Sequence, residues 1–228
     1  MAPTVYLNPL SPPARTVLMV ADILGIRINI KELDPLTRAQ DTPEMSRKNP
    51  MRTIPTFVDD DGFSLGDSHA IILYMFDKYA KPEHEYLYPK DMKSRALVLQ
   101  RLFADCGVFF RTLRSIMSPT YGRVMTELNK NQIKNTEDTY RIADEYLSQS
   151  EFLATDSLTL ADVSAVTTIA TLHELWPVDE KRFPKTKQWL DRMGEYDFYR
   201  HNNKEWCIVH CEMLKELMAE NKKLKSKL

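Results

Sequence analysis

Thr53-Ile54-Pro55-Thr56-Phe57, followed by Gly66-Asp67-Ser68-His69-Ala70-Ile71, is the stretch that decides the fold. A proline entering a short apolar strand removes one ladder donor and tolerates a cis peptide bond, so the backbone of the residue before it is free to face a ligand. Ile54 is therefore read as pairing with an extended peptide. Asp59-Asp60-Asp61-Gly62 breaks the strand, a second strand follows through Phe63-Ser64-Leu65, and Ser68 opens the apolar-periodic run Ile71, Ile72, Met75 and Phe76. A helix N-terminus offers free N–H groups and partial positive charge, so Asp67-Ser68 sits where a carboxylate-bearing ligand would end. Backbone pairing at one end and carboxylate binding at the other suit a small acidic peptide.

Upstream, Thr4-Val5-Tyr6-Leu7 reads as a strand, Asn8-Pro9-Leu10-Ser11-Pro12-Pro13 as a rigid turn and Ala14 to Leu24 as an amphipathic helix. Ser11 thus lies at a strand-to-helix corner with a hydroxyl placed to donate. Three segments in this order, Ser11-Pro12, Asn49 to Pro55 and Asp67 to Ile71, resemble the cytosolic glutathione transferases, and within them the insect delta/epsilon group. The similarity runs along nearly the whole chain. It implies a thioredoxin-like α/β domain followed by an all-α domain, with glutathione as co-substrate.

The 228 residues, 43% hydrophobic and 28% charged, are ordinary for a globular chain that buries a sizeable core. A formal net charge of −1 provides no global field for nucleic acid or a membrane surface, which leaves a small molecule as the expected partner. The longest apolar run, Ala70 to Phe76, is too short to span a bilayer, and no charged n-region with a following apolar segment opens the sequence, so a cytoplasmic location is expected. Cys106, Cys207 and Cys211 are an odd number and read as reduced thiols. Cys207, His210 and Cys211 share helical spacing, but one short segment supplies no fourth ligand; packing is the preferred reading and no metal is expected.

The chain divides near Pro82. Before it, strands at Thr4–Leu7, Asn29–Glu32, Thr56–Val58 and Ser64–Leu65 alternate with helices around Arg15–Leu24, Pro43–Lys48 and Ser68–Tyr79, a βαβ-then-ββα order. Residues 1–81 form the expected glutathione-binding domain, 82–90 a linker, and 91–228 a helical domain that supplies the hydrophobic substrate site. There, apolar residues recur at helical spacing, including a helix from Met92 to Phe110 with enough apolar positions for a core and an interface. Thr159-Leu160-Ala161-Asp162 is a capping-box-like start for the helix through Val163, Val166 and Ile169.

The resemblance implies roles residue by residue. Ser11 becomes the thiolate stabiliser; Ile54 and Pro55 hold the cysteinyl part; Asp67 and Ser68 hold the γ-glutamyl end; Gln40, Thr53 and His69 complete the glutathione-binding set; and Arg111 faces the same site from the helical domain. The family usually has histidines where Arg52 and Gln40 stand, and Arg52 is read as holding the glycyl carboxylate. Without the resemblance, Ser11 reads as a helix cap, Arg52 as a solvated loop charge, and Arg111 as a partner of Asp105 or Asp138. The second substrate would meet an apolar wall of Pro9, Leu10, Pro12, Phe103, Phe110, Leu113, Met117 and Tyr121. A transferase acting on hydrophobic electrophiles is expected, with a non-catalytic protein that sequesters apolar ligands as the alternative. The resemblance also implies a homodimer.

Overall fold

The computed structural model describes residues 2–34 and 39–226. Its sheet has the order β2-β1-β3-β4, made by β1 (Thr4–Leu7), β2 (Asn29–Glu32), β3 (Thr56–Val58) and β4 (Ser64–Gly66). β1 runs parallel to β2 and antiparallel to β3, which pairs antiparallel with β4. The parallel pair needs a crossover, supplied by α1 (Pro12–Leu24). Two further helices, α2 (Pro43–Lys48) and α3 (Ser68–Tyr79), complete this half. Val5 and Leu7 of β1 and Phe57 of β3 share one buried core with Val17 and Val20 of α1 and Ile71, Ile72 and Met75 of α3.

The helix α1 begins before Ala14 because Pro12 and Pro13 fill its first turn, where a missing N–H breaks no helical bond. It ends on Gly25 in the left-handed region at φ 65°. In β4, Gly66 extends the expected strand by one residue and sits opposite Thr56. A Cβ there would lie 2.7 Å from the side-chain amide of Asn49, so this approach requires glycine.

The second half is helical: α4 (Met92–Ala104), α5 (Phe110–Tyr121), α6 (Lys130–Leu147), α7 (Leu160–Leu175), α8 (Pro184–Gly194), α9 (Asp197–Tyr199) and α10 (Glu205–Lys225). The expected helix from Met92 to Phe110 differs in one respect. It passes through a wide π turn at Asp105–Phe109 before continuing as α5. The helix α7 is buried from Leu160 to Leu172, packs against α1, α4 and α10, and so has no polar face. Two of its hydroxyls bond back into the helix: Thr167 donates to the Ser164 carbonyl at 2.9 Å and Thr171 to the Thr167 carbonyl at 2.7 Å. Among the described residues no helix is long and apolar enough to cross a membrane.

Candidate functional site

The corner after β1 is built from within. Asn8 Oδ1 accepts from the Leu10 N–H at 3.0 Å, and the Asn8 carbonyl accepts from the Ser11 N–H at 3.0 Å. Arg15, fully buried on α1, donates from Nη1 to the Pro9 and Leu10 carbonyls at 3.2 and 2.9 Å. Its Nε reaches Asn203 Oδ1 at 2.7 Å and its Nη2 reaches Thr171 Oγ1 at 2.9 Å, so one guanidinium ties the corner to two parts of the helical half. Burial lowers its pKa from the ordinary arginine value.

Ser11 occupies the N-cap of α1 in an extended conformation, yet its side chain makes no capping bond. The prolines explain why. Pro13 has no N–H to offer, and the Ala14 N–H goes to the Ser11 carbonyl at 3.0 Å. The hydroxyl is left without a hydrogen bond among the described residues.

The segment before β3 is tethered by Asn49, which is buried and donates from Nδ2 to the Thr53 carbonyl, Thr53 Oγ1 and Thr56 Oγ1 at 3.0, 3.1 and 3.0 Å. The Ile54–Pro55 bond is cis, and Arg52 has a left-handed φ of 52°. Arg52 is half-exposed, and its Nη1 is 3.9 Å from Asp41 Oδ1. Directly after β4, Asp67 takes φ 68° and caps α3, its Oδ1 accepting from the His69 and Ala70 N–H groups at 2.9 and 3.2 Å. His69 Nε2 lies 3.1 Å from buried Asp105 Oδ2, while Nδ1 is 3.4 Å from Asp67 Oδ1, close enough for attraction but misaligned for a hydrogen bond. Burial opposes the imidazolium, but Asp105 and Asp67 outweigh it and push His69 up to about 10.

These elements enclose a cleft of about 740 Å³ lined by Ser11, Gln40, Arg52, Thr53, Ile54, Pro55, Asp67, Ser68, His69 and Arg111, together with Phe110, Met117 and Tyr121 from α5. Leu10 lines an adjoining apolar cavity of about 230 Å³ shared by Ser11, Ile54, Met117, Tyr121 and Met213. Gln40 Oε1 is buried with no hydrogen-bond partner among the described residues. Arg111 pairs with neither Asp105 nor Asp138: Asp105 is held by His69 and Ser164, and Asp138 by Arg141. Tyr121 shares a 2.8 Å hydrogen bond with His210, whose pKa burial and the Arg15 charge depress to about 3. Ser11 therefore has the free hydroxyl and Tyr121 an engaged one.

Four residues expected on the apolar wall line neither cavity. Pro9 and Pro12 are buried in the corner, and Leu113, at 0% exposure, shares the buried face of α5 with Ile116 and Thr120. Phe103 is 72% exposed on α4, because the π turn breaks the helical phase that would have aligned it with Phe110. Conversely, the cleft includes Cys106, Gly107 and Arg114, which sequence reasoning missed. Arg114 was within reach of that reasoning, since it follows Phe110 by one helical turn. Met213, from the last helix, carries no local signal.

Two family models match the chain: "Glutathione S-transferase, N-terminal domain" over residues 6–83 and "Glutathione S-transferase, C-terminal domain" over residues 114–196. The chain is 35% identical over 205 residues to glutathione S-transferase 1 of Manduca sexta, covering 89% of this chain and 93% of that protein. It is 31% identical to glutathione S-transferase D7 of Drosophila melanogaster, covering 96% of each. Among solved structures, an epsilon-class glutathione S-transferase from the housefly Musca domestica superposes with a TM-score of 0.90 at 32% identity, covering 94% of this chain and 98% of that one. A Drosophila mojavensis glutathione transferase homologue with bound glutathione superposes with a TM-score of 0.86 at 29% identity, covering 96% and 97%.

Proposed function

Because this chain belongs to the glutathione S-transferase family, we propose that it transfers the glutathione thiolate to hydrophobic electrophiles, with Ser11 stabilising that thiolate. The observation that carries this reading is the free Ser11 hydroxyl facing the same cleft as Ile54, Asp67 and Ser68. A free thiol has a pKa of about 8.5, so only a few per cent is thiolate near neutrality. A hydrogen bond to a charged acceptor contributes roughly 1.5–3 kcal/mol. At about 1.4 kcal/mol per pKa unit, one hydroxyl lowers the thiol pKa by about one to two units. No general base and no catalytic metal is part of this chemistry. The thiolate forms the new S–C bond, and the displaced group leaves with the electron pair.

Glutathione then lies extended along Ile54, with the γ-glutamyl end at Asp67, Ser68 and His69. Arg52 and Gln40 take the glycyl carboxylate, and Arg111 adds positive charge from the helical half. Leu10, Phe110, Met117 and Tyr121 offer the apolar surface for the electrophile. Residues 1–81 act as the glutathione-binding domain, 82–90 as the linker and 91–228 as the helical domain. The exposed apolar residues Met92, Leu97 and Phe103 on α4 support a homodimer. The location that fits this chemistry is the cytoplasm. A non-catalytic sequestering role is not favoured, since the cleft keeps both its polar end and the free hydroxyl.

The test is glutathione-dependent turnover of a panel of hydrophobic electrophiles, run beside displacement of an apolar ligand. Turnover with several electrophiles is expected. Apolar binding without turnover or glutathione binding would replace this reading with the sequestering one.

A further inference from the structure

The π turn between α4 and α5 brings the exposed thiol of Cys106 to the cleft, opposite the start of α3. One carboxylate oxygen of Asp67, a ring nitrogen of His69 and Cys106 Sγ all lie within 4.8 Å of one another. His69 Nδ1 is buried, makes no hydrogen bond among the described residues and stands 3.4 Å from Asp67 Oδ1. On the other side of the ring, Nε2 meets Asp105 Oδ2 at 3.1 Å, and that oxygen also accepts from Ser164 Oγ at 2.6 Å. A carboxylate on the far nitrogen is the arrangement that orients histidine ligands toward a metal and raises their basicity.

Thiolate, imidazole and carboxylate together suit zinc, whose bonds of about 2.0–2.3 Å separate tetrahedral ligands by roughly 3.3–3.8 Å. The Asp67–His69 separation already falls in that range, and Cys106 Sγ lies within 4.8 Å of both. The other acidic group, Asp59-Asp60-Asp61, offers carboxylates only, and Asp59 is held by Lys78, Tyr74 and Tyr79.

We propose that Asp67, His69 and Cys106 form a three-ligand site for zinc or a similar thiophilic divalent cation, with its fourth position open to the cleft. Binding replaces the proton on the thiol and the one on Nδ1, both of which pass to solvent. Asp67 and His69 also hold the γ-glutamyl end in the function proposed above, so the cation and glutathione exclude each other; this part rests on that reading. The cation is then an inhibitory ligand rather than a cofactor.

Cobalt(II) titrated into the reduced full chain without glutathione tests the site directly. A near-ultraviolet thiolate-to-cobalt charge-transfer band is expected in the unmutated protein. It should be lost in Cys106→Ser and kept in Cys207→Ser. Asp105→Asn should weaken cobalt binding about 10–100-fold. If that buried substitution prevents folding, the exposed Cys106→Ser change still carries the test. No band in the unmutated chain, or a band that survives Cys106→Ser, overturns the site. Adding S-methylglutathione, which keeps the γ-glutamyl end but has no free thiol to bind cobalt, should displace the cobalt; a band indifferent to saturating S-methylglutathione would leave the metal site standing and remove its overlap with the γ-glutamyl end.

Discussion

The helices α1 and α7 both begin on a hydroxyl residue at the N-cap, and the two hydroxyls are used in opposite ways. Thr159 is fully buried, and its Oγ1 donates to Asp162 Oδ2 at 2.8 Å. The same carboxylate accepts from the Thr159 N–H at 2.9 Å, the Leu153 N–H at 2.8 Å and Trp189 Nε1 at 3.0 Å. Ser11 has no acid three residues on; Pro13 offers no N–H, and the Ala14 N–H goes to the Ser11 carbonyl. One hydroxyl is closed within the fold, and the other is left open to a ligand. A polar group whose partners all lie within the chain contributes to stability, whereas one without partners on a cavity wall is available for chemistry.

The largest expected effect lies on the closed side. Asp162→Ala leaves the Leu153, Thr159 and Trp189 donors buried without an acceptor, which should cost on the order of 3 kcal/mol or more. Ser11→Ala should change stability by no more than about 0.5 kcal/mol. Denaturant unfolding of both variants measures the contrast, and equal losses would abolish it.

Arg52, on the open side, comes next. Its one ion pair among the described residues is long and its side chain is half-exposed, so Arg52→Ala should leave stability almost unchanged. Glutathione binding should weaken by roughly 1.5–3 kcal/mol, or about ten- to a hundredfold, and the loss should shrink as salt rises. Binding of an apolar ligand should hardly change. Calorimetric titration with glutathione and then with the apolar ligand separates these outcomes; tight glutathione binding indifferent to Arg52 would move the carboxylate contact elsewhere.

A smaller effect, with a defined pH dependence, belongs to Asp59. Burial opposes its charge, but Lys78, Tyr74, the Asp60 N–H and Tyr79 outweigh burial and hold the carboxyl well below the usual carboxylate range. A depressed folded-state pKa stabilises above the unfolded value of about 3.9 and loses that stabilisation as pH falls toward the folded one. Asp59→Asn should therefore cost about 1–2 kcal/mol at neutral pH, with the gap to the unmutated protein closing below about pH 3.9. A gap that is constant from neutral to acid conditions would mean that the carboxylate charge contributes nothing.

Much of this architecture was legible. The limits of β1, β2, β3, α2 and α3 agree with the sequence pattern because proline, glycine and acidic turns punctuate them. The free state of the Ser11 hydroxyl was not legible from the residues alone, which read as a helix cap; both its missing capping bond and its place beside Ile54, Asp67 and Ser68 emerge from the folded backbone. The π turn left no such trace. An i→i+5 turn shifts helical phase without altering composition, so Phe103 was assigned to the wall while Cys106 was passed over. Arg15 was also read as an ordinary helix residue, although it is fully buried among carbonyl, amide and hydroxyl acceptors. Periodicity locates a charged residue along a helix but does not reveal acceptors more than 150 positions away in sequence, as at Thr171 and Asn203.

The central claim is that the free Ser11 hydroxyl stabilises the glutathione thiolate, and thiolate absorbance of bound glutathione titrated against pH tests it most directly. The unmutated protein should show a bound-thiol pKa about one to two units below that of Ser11→Ala, with the variant still folded and still binding glutathione. Identical pKa values in the two proteins would contradict the account and assign activation of the sulfur to another donor.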